Sequence, residues 1–270
     1  GVLRHFSEEG RDFPWRRTRD PWLILTSEIM LQQTRTETVA ARWDAWTAAF
    51  PSPASLAGTP LAIILSLWKG LGYNRRALAL RNAAARIVCD HGGAVPSGEA
   101  ELRSLPGVGP YTARAVRAFA FGLPGVVIET NIRTVFLFYF FPDRQAVPDR
   151  ELEPYVEAVL DRDDPRTWYY ALMDYGAALK KREPNPGRRS TSYVRQSPFE
   201  GSFRQIRSAV LHALSSRGPL KPADLQGVVA EDVGPFSQDA DFDGRLARAI
   251  RELESEGFLE TGSGVLGLKD

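Results

Sequence analysis

The chain has 270 residues, 43% hydrophobic and 25% charged, enough to bury cores in two or three compact units and too apolar for a disordered polymer. Its longest apolar runs, such as 118–128, are broken by Gly122, Pro124 and Gly125, well under the ~20 residues of a bilayer span, so no membrane partner is expected. The single cysteine, Cys89, excludes an internal disulfide and any cysteine-rich zinc or iron–sulfur site.

That cysteine usage points to a reducing setting, and the start at Gly1, with neither Met nor an apolar leader, reads as a trimmed cytoplasmic protein. Net charge is +1 but uneven. Residues 200–270 hold 8 Lys/Arg against 12 Asp/Glu, for −4, and the remainder holds 26 against 21, for +5. A positive N-terminal part suits a polyanionic partner; ordinary scatter of surface charge is the competing explanation.

Apolar residues at three- and four-residue spacing predict helices over 22–35, 36–50, 60–68, 76–91, 111–121, 131–140 and 151–161. Turn signals at Pro51–Pro53, Gly92–Gly93, Pro96–Gly98, Gly122–Gly125 and Pro142–Asp143 separate them, so the body is expected to be all-α. A run rich in Pro, Gly, Ser and Arg over 182–202 predicts a domain boundary. Beyond it, helices are expected over 203–216, Lys221–Glu231 and Phe242–Glu256. A Thr-Gly-Ser-Gly turn then separates two apolar arms, the order of a winged helix.

Leu105-Pro-Gly-Val-Gly-Pro-Tyr-Thr-Ala113 follows a short predicted helix, with Ser97 as its expected cap and Glu99 in its first turn, and runs into the next helix. Gly107 and Gly109 permit a tight turn, and Pro110 suits a first helical position. The amides of Gly107, Val108, Gly109 and Thr112 would then meet a DNA phosphate at a helix N-terminus, a contact without base information. A plain helix-to-helix turn is the alternative, and the full pattern favours a helix-hairpin-helix.

In Asp20–Arg35, an apolar predicted helix, Glu28, Gln32 and Arg35 fall on one face. A carboxyl among Leu25, Ile29 and Leu31 would be desolvated and would donate a proton near neutral pH; a surface glutamate is the bland alternative. Glu129 opens another predicted helix, where it is either a helix-start charge or a second functional carboxylate. Cleavage of a glycosidic C–N bond needs such a pair, one acid for the departing base and one anion for the oxocarbenium ion. His5, His91 and His212 lack ligand spacing, and no phosphate loop or nucleophile elbow occurs.

With Asp12-Phe-Pro-Trp-Arg16, Ser27-Glu-Ile-Met-Leu-Gln-Gln-Thr34, Leu67-Trp-Lys-Gly-Leu-Gly-Tyr73, Leu105–Gly109 and Ala171-Leu-Met-Asp-Tyr-Gly176 in order, the chain resembles the helix-hairpin-helix DNA glycosylase superfamily, most closely its adenine-DNA glycosylase branch. The resemblance implies a two-lobed fold, with lobe A at 23–132 and lobe B at 1–22 plus 133–199, followed by a winged-helix-like module at 200–270. It implies Glu28 as catalytic acid, Glu129 as the second carboxylate, Tyr111 hydrogen-bonded in the site and Asn131 beside Glu129. Gln32, Gln33 and Tyr73 would probe or wedge the duplex, with Thr34 also contacting DNA, because a base must leave the stack before its bond is reached.

Tyr111 stands where bifunctional relatives hold a Schiff-base lysine, so base excision without strand nicking is expected, with double-stranded DNA as partner and a monomer as the working form. Three departures qualify the transfer. Glu129 replaces the family's Asp, which would move the carboxylate by about 1 Å. The segment after Tyr175 lacks the four cysteines of the family's iron–sulfur cluster, so the cluster is expected to be absent; Lys180 and Lys181 there would touch phosphate or form a solvated basic linker. The usual C-terminal domain is not recognisable, which leaves open another target base or a catalytically inactive DNA-binding protein. Arg245, Arg248 and Arg251 recur as on a groove-entering helix, but Glu252, Glu254 and Glu256 favour packing against the body or a protein partner. A monovalent cation at hairpin carbonyls is a further implication of the family.

Overall fold

The computed structural model describes residues 1–195 and 197–269. In chain order the helices are α1 (Val2–Glu9), α2 (Pro21–Leu31), α3 (Thr36–Ala49), α4 (Pro53–Ala57), α5 (Leu61–Trp68), α6 (Arg75–His91) and α7 (Glu99–Ser104). Then follow α8 (Pro110–Phe121), α9 (Thr130–Phe140), α10 (Asp149–Ala158), α11 (Pro165–Arg182), α12 (Phe203–Arg217), α13 (Pro222–Val233) and α14 (Phe242–Ser255). One antiparallel hairpin closes the chain, β1 (Leu259–Gly262) with β2 (Val265–Leu268), paired Leu259 to Leu268 and Gly262 to Val265. No helix among the described residues is long and apolar enough to cross a membrane.

Local chemistry sets the helix starts and stops. The Asp20 carboxylate accepts the amides of Trp22 and Leu23 at 2.8 and 3.0 Å, with Pro21 as the first residue of α2. The Asp164 carboxylate accepts the Thr167 amide at 3.1 Å ahead of Pro165, which starts α11. In the hairpin, Ser263 and Gly264 both have positive φ, 52° and 77°, the geometry of a two-residue turn matched to strand twist.

Several sequence expectations need correction. The α2 helix ends at Leu31, so Gln32 and Arg35 do not share a helical face with Glu28; Gln33 is left-handed at φ 55° and Arg35 caps α3. The cap of α7 is Gly98, without a side-chain bond, rather than Ser97; Glu99 does occupy the first turn, where it pairs with Arg114 and Arg117 of α8. Helix α11, with 18 residues, was missing from the expected set. The three helices and hairpin after residue 200 are present in the expected order.

Contacts divide the chain into two compact units, Gly1–Ile29 with Val95–Arg195, and Met30–Ala94 with the C-terminal segment. This grouping differs from the expected lobes of 23–132 and 1–22 plus 133–199, and from a module standing alone at 200–270. In the first unit, α11 packs against α9, α1 and α8. The buried Asp174 ties the N-terminal segment to α11, accepting Arg16 Nη1 and Nη2 at 2.8 and 2.9 Å and both the amide and Nε of Arg11 at 2.8 Å. Burial alone would raise that carboxyl, but the two arginines outweigh it and hold its pKa down.

In the second unit the buried Trp46 and Trp68 rings meet edge to face at 5.1 Å. Helix α5 packs on α12, and its Leu61 and Leu65 lie in the same core as Leu214, Leu225, Leu253 and Phe258. Two buried leucines are worth roughly 3–5 kcal/mol, so the last three helices share a core with α5 and do not form a separate one.

Candidate active site

Helix α2 buries Glu28 among Leu25, Ile29 and the rest of an apolar helix, leaving it 6% exposed. Burial drives its pKa from 4.5 up to about 7, a hydrogen bond from Tyr111 pulls it back, and the charge of Glu129 raises it further. Tyr111, on the first turn of α8, has its phenol pushed well above the ordinary range by burial, then by the charges of Glu28 and Glu129. Glu28, Tyr111 and Glu129, from three separated stretches of sequence, thus interact within the first unit.

Glu129 caps α9. Its carboxylate accepts the Asn131 amide at 2.6 Å and Asn131 Nδ2 at 3.3 Å, so the longer side chain folds back on its own helix. Asn131 Oδ1 accepts Lys180 Nζ at 2.8 Å, and burial lowers the Lys180 pKa while the charge of Glu129 opposes that fall. The extended segment leading to Glu129 is fixed by Tyr169, whose hydroxyl donates to the Gly125 carbonyl at 2.6 Å and accepts the Val127 amide at 3.1 Å. Gly176 lets α11 pass α9, because a Cβ there would lie 2.1 Å from the Asn131 carbonyl oxygen.

The hairpin is a one-turn loop between α7 and α8. Buried Leu105 and Val108 anchor it, the Val108 amide donates to the Leu105 carbonyl at 3.1 Å, and Gly107 has φ 80°. Of the residues expected to meet phosphate, Gly107 and Gly109 are exposed, whereas the Val108 and Thr112 side chains are buried. Gly109 opens α8 with no side-chain cap, leaving the positive end of the helix dipole unscreened by a carboxylate.

The other expected DNA contacts lie in the second unit. Gln32, Gln33 and Thr34 form the turn after α2, and Tyr73 is a 37% exposed ring on a loop with φ 47°, preceded by Gly70 and Gly72 at 91° and 69°. Buried Arg76 binds both segments. Its guanidinium donates to the Met30 carbonyl at 2.8 Å, to Thr34 Oγ1, Leu71 O and Gly72 O at 2.9 Å each, and to the Gln32 carbonyl. Burial brings its pKa down to about 10, so it is a cation at neutral pH. Arg76 belongs to no recognised motif, and its signal in the sequence is an arginine on the apolar face of α6 with Leu80 and Ala83.

Lys181 is exposed, as a phosphate contact would be, but Lys180 is directed to Asn131. The following segment does not fit a four-cysteine cluster, since Cys89, on α6, is the only cysteine of the chain. Polar contacts shape it. Asn185 Oδ1 accepts the Gly187 amide at 3.0 Å, Arg189 donates to the Phe141 carbonyl at 2.9 Å, and Val147 pairs with Ser190. Among the described residues no group of three or more His, Cys, Asp or Glu is placed to hold a metal ion.

A carboxyl that is half-protonated near pH 7, beside a second carboxylate flanked by an ammonium and a helix N-terminus, can deliver a proton and face a developing cation. Residues 26–161 match the model of the HhH-GPD superfamily base excision DNA repair proteins. The chain is 33% identical to the adenine DNA glycosylase of Mycolicibacterium smegmatis, over 98% of this chain and 97% of that one. It is 32% identical to the thymine/uracil-DNA glycosylase of Methanothermobacter thermautotrophicus, over 66% and 82%. The solved structure of a thermostable thymine-DNA glycosylase superposes with a TM-score of 0.59 at 30% identity, covering 65% of this chain and 82% of that one. An endonuclease III bound to DNA superposes at 0.55 with 20% identity, over 64% and 79%, a likeness of fold. The chain belongs to the HhH-GPD superfamily of base excision DNA repair proteins.

Proposed function

We propose that the chain is a monofunctional DNA N-glycosylase that removes adenine, mispaired or opposite oxidised guanine, from duplex DNA. The observation that carries this reading is the shared environment of Glu28, Tyr111 and Glu129, with the Glu28 pKa at about 7. A base turned out of the stack takes a proton from Glu28 as its bond to C1′ breaks, and its electron pair leaves with it. Glu129, held by Asn131 and Lys180, faces the sugar cation; water then adds to C1′, and its proton returns to the Glu28 carboxylate.

Gln32, Gln33, Thr34 and Tyr73 fill the gap left by the base. Gly107, Val108, Gly109 and Thr112 grip a phosphate through backbone amides, Lys181 adds charge, and Tyr111 orients Glu28. The protein works as a monomer on nucleoid DNA, with the segment after residue 200 a winged-helix-like part of the chain. The matched relatives named for adenine and for thymine or uracil, at 33% and 32% identity, together with Glu129, favour a second reading in which the excised base differs.

Duplexes bearing single mispairs or lesions, incubated with the purified protein and treated with alkali, test both readings. Scission at adenine supports the first and scission at another base the second. Binding without scission across the panel would leave a DNA-binding protein that has lost its chemistry.

A further inference from the structure

The second unit contains a cleft of about 900 Å³ that includes Tyr73 but neither Glu28 nor Glu129. One wall is the loop from Lys69 to Arg75, and the other is α12 with part of α14. Its charge is unlike that of the segment that builds it. Residues 200–270 total −4, yet those in the lining, Arg204, Arg207 and Arg248 against Asp232 and Glu252, total +1, and Lys69 and Arg75 bring the cleft to +3.

Glu252 of the lining and Glu256 beside it are already committed. Glu252 pairs with Arg207 and Arg248, and Glu256 pairs with Arg75 and Arg207. Among the described residues, Lys69 and Arg204 are paired with no carboxylate: Lys69 Nζ lies 2.9 Å from His212 Nε2, and Arg204 donates to the Tyr73 hydroxyl at 3.0 Å and the Ser197 carbonyl at 2.7 Å. The Arg76 and Arg204 guanidinium groups lie 5.6 and 5.7 Å from the centre of the Tyr73 ring. Phe199 and Phe203 add two further aromatic rings to the lining. Two arginines of α14 are less available, since Arg245 is bound to the Gly201 carbonyl and Asp239, and Arg248 to Glu252.

Cations without a carboxylate partner beside an exposed aromatic ring are the chemistry that takes a phosphodiester and stacks its base. We infer that this cleft binds a segment of DNA strand flanking the target position, with Lys69 and Arg204 on phosphates and a base against Tyr73. The C-terminal segment thus reaches DNA through α12. The inference rests on reading the protein as a duplex-DNA enzyme, and it adds a strand site that neither the catalytic pair nor the hairpin supplies.

The test is the salt dependence of duplex affinity for the full chain, using a duplex with a non-hydrolysable adenosine analogue opposite guanine. Lys69→Ala and Arg204→Ala are each expected to reduce the slope of log K against log salt by about 0.9 and weaken binding by about three- to tenfold near physiological salt. Because Arg204 also holds Tyr73, Lys69→Ala is the cleaner variant. Arg217→Ala, on the same helix but outside the cleft, should leave the slope unchanged. Slopes equal to that of the parent for both cleft variants would overturn the inference. Excision measured on the same duplex sequence with natural adenine keeps the two ideas apart: absence of excision refutes the adenine reading, whereas unchanged slopes refute the cleft.

Discussion

If Glu28 is the proton donor, its pKa of about 7 must appear in both rate and stability. Only the protonated carboxyl delivers a proton, so single-turnover excision should be near its plateau at about pH 5, about half of it at pH 7, and should fall about tenfold per unit beyond about pH 8. Stability has its own sign. The folded pKa lies above the unfolded 4.5, so the contribution from Glu28 is fully present below about 4.5 and is lost as pH rises toward 7. The shift corresponds to about 3 kcal/mol at most, with about 2 kcal/mol of it developing between about pH 5 and pH 8.

Glu28→Gln removes the titration while keeping the shape. Its stability gain over the parent, read from urea midpoints at several pH values, should therefore grow by about 2 kcal/mol across that window and level off above pH 7. The same variant should lose excision while retaining duplex affinity. A stability difference that does not change with pH, or excision that persists in Glu28→Gln, would refute the assignment.

Four further outcomes follow from the contacts. Lys180→Met leaves Asn131 Oδ1 without its donor and should slow single-turnover excision about tenfold at nearly unchanged duplex affinity; a change in affinity alone would return Lys180 to phosphate contact. Glu129→Asp keeps a good helix cap, so stability measured by denaturant should stay within about 0.5 kcal/mol, while excision should fall about 10²-fold as the carboxylate retreats by about 1 Å. Arg76→Met removes the donor shared by the oxygens of Met30, Gln32, Thr34, Leu71 and Gly72 and should cost about 3–5 kcal/mol of stability, measured the same way. Gly176→Ala forces α9 and α11 apart and should cost about 2 kcal/mol or more, with a matching loss of excision in the folded fraction.

Much of the architecture was legible because helical periodicity and turn residues are local. The α8 start at Pro110 and the final hairpin turn follow from spacing and side-chain type. The extent of α2 was not, since the sequence Leu31-Gln-Gln-Thr-Arg continues an acceptable helical pattern. Its end depends on Arg76, 44 residues from Gln32, collecting the carbonyls of the turn. The placement of Lys180 was equally hidden. A lysine beside Lys181 and Arg182 reads as part of a solvated basic run, and only the packing of α11 against α9 directs it to Asn131. The grouping of α5 with the C-terminal helices was hidden for the same reason: Leu61 and Leu65 join the core of α12 to α14 through contacts about 150 residues apart, which no local pattern records.

The central claim is that a buried acid and a capped carboxylate together release a base by hydrolysis. Product analysis after a single turnover on a duplex carrying adenine opposite oxidised guanine tests it most directly. The account predicts free adenine together with a full-length abasic strand that breaks only after alkali, and no covalent protein–DNA species on borohydride treatment. A strand cut before alkali with borohydride-trapped protein, or adenine release undiminished when Glu28 and Glu129 are both replaced by their amides, would contradict it.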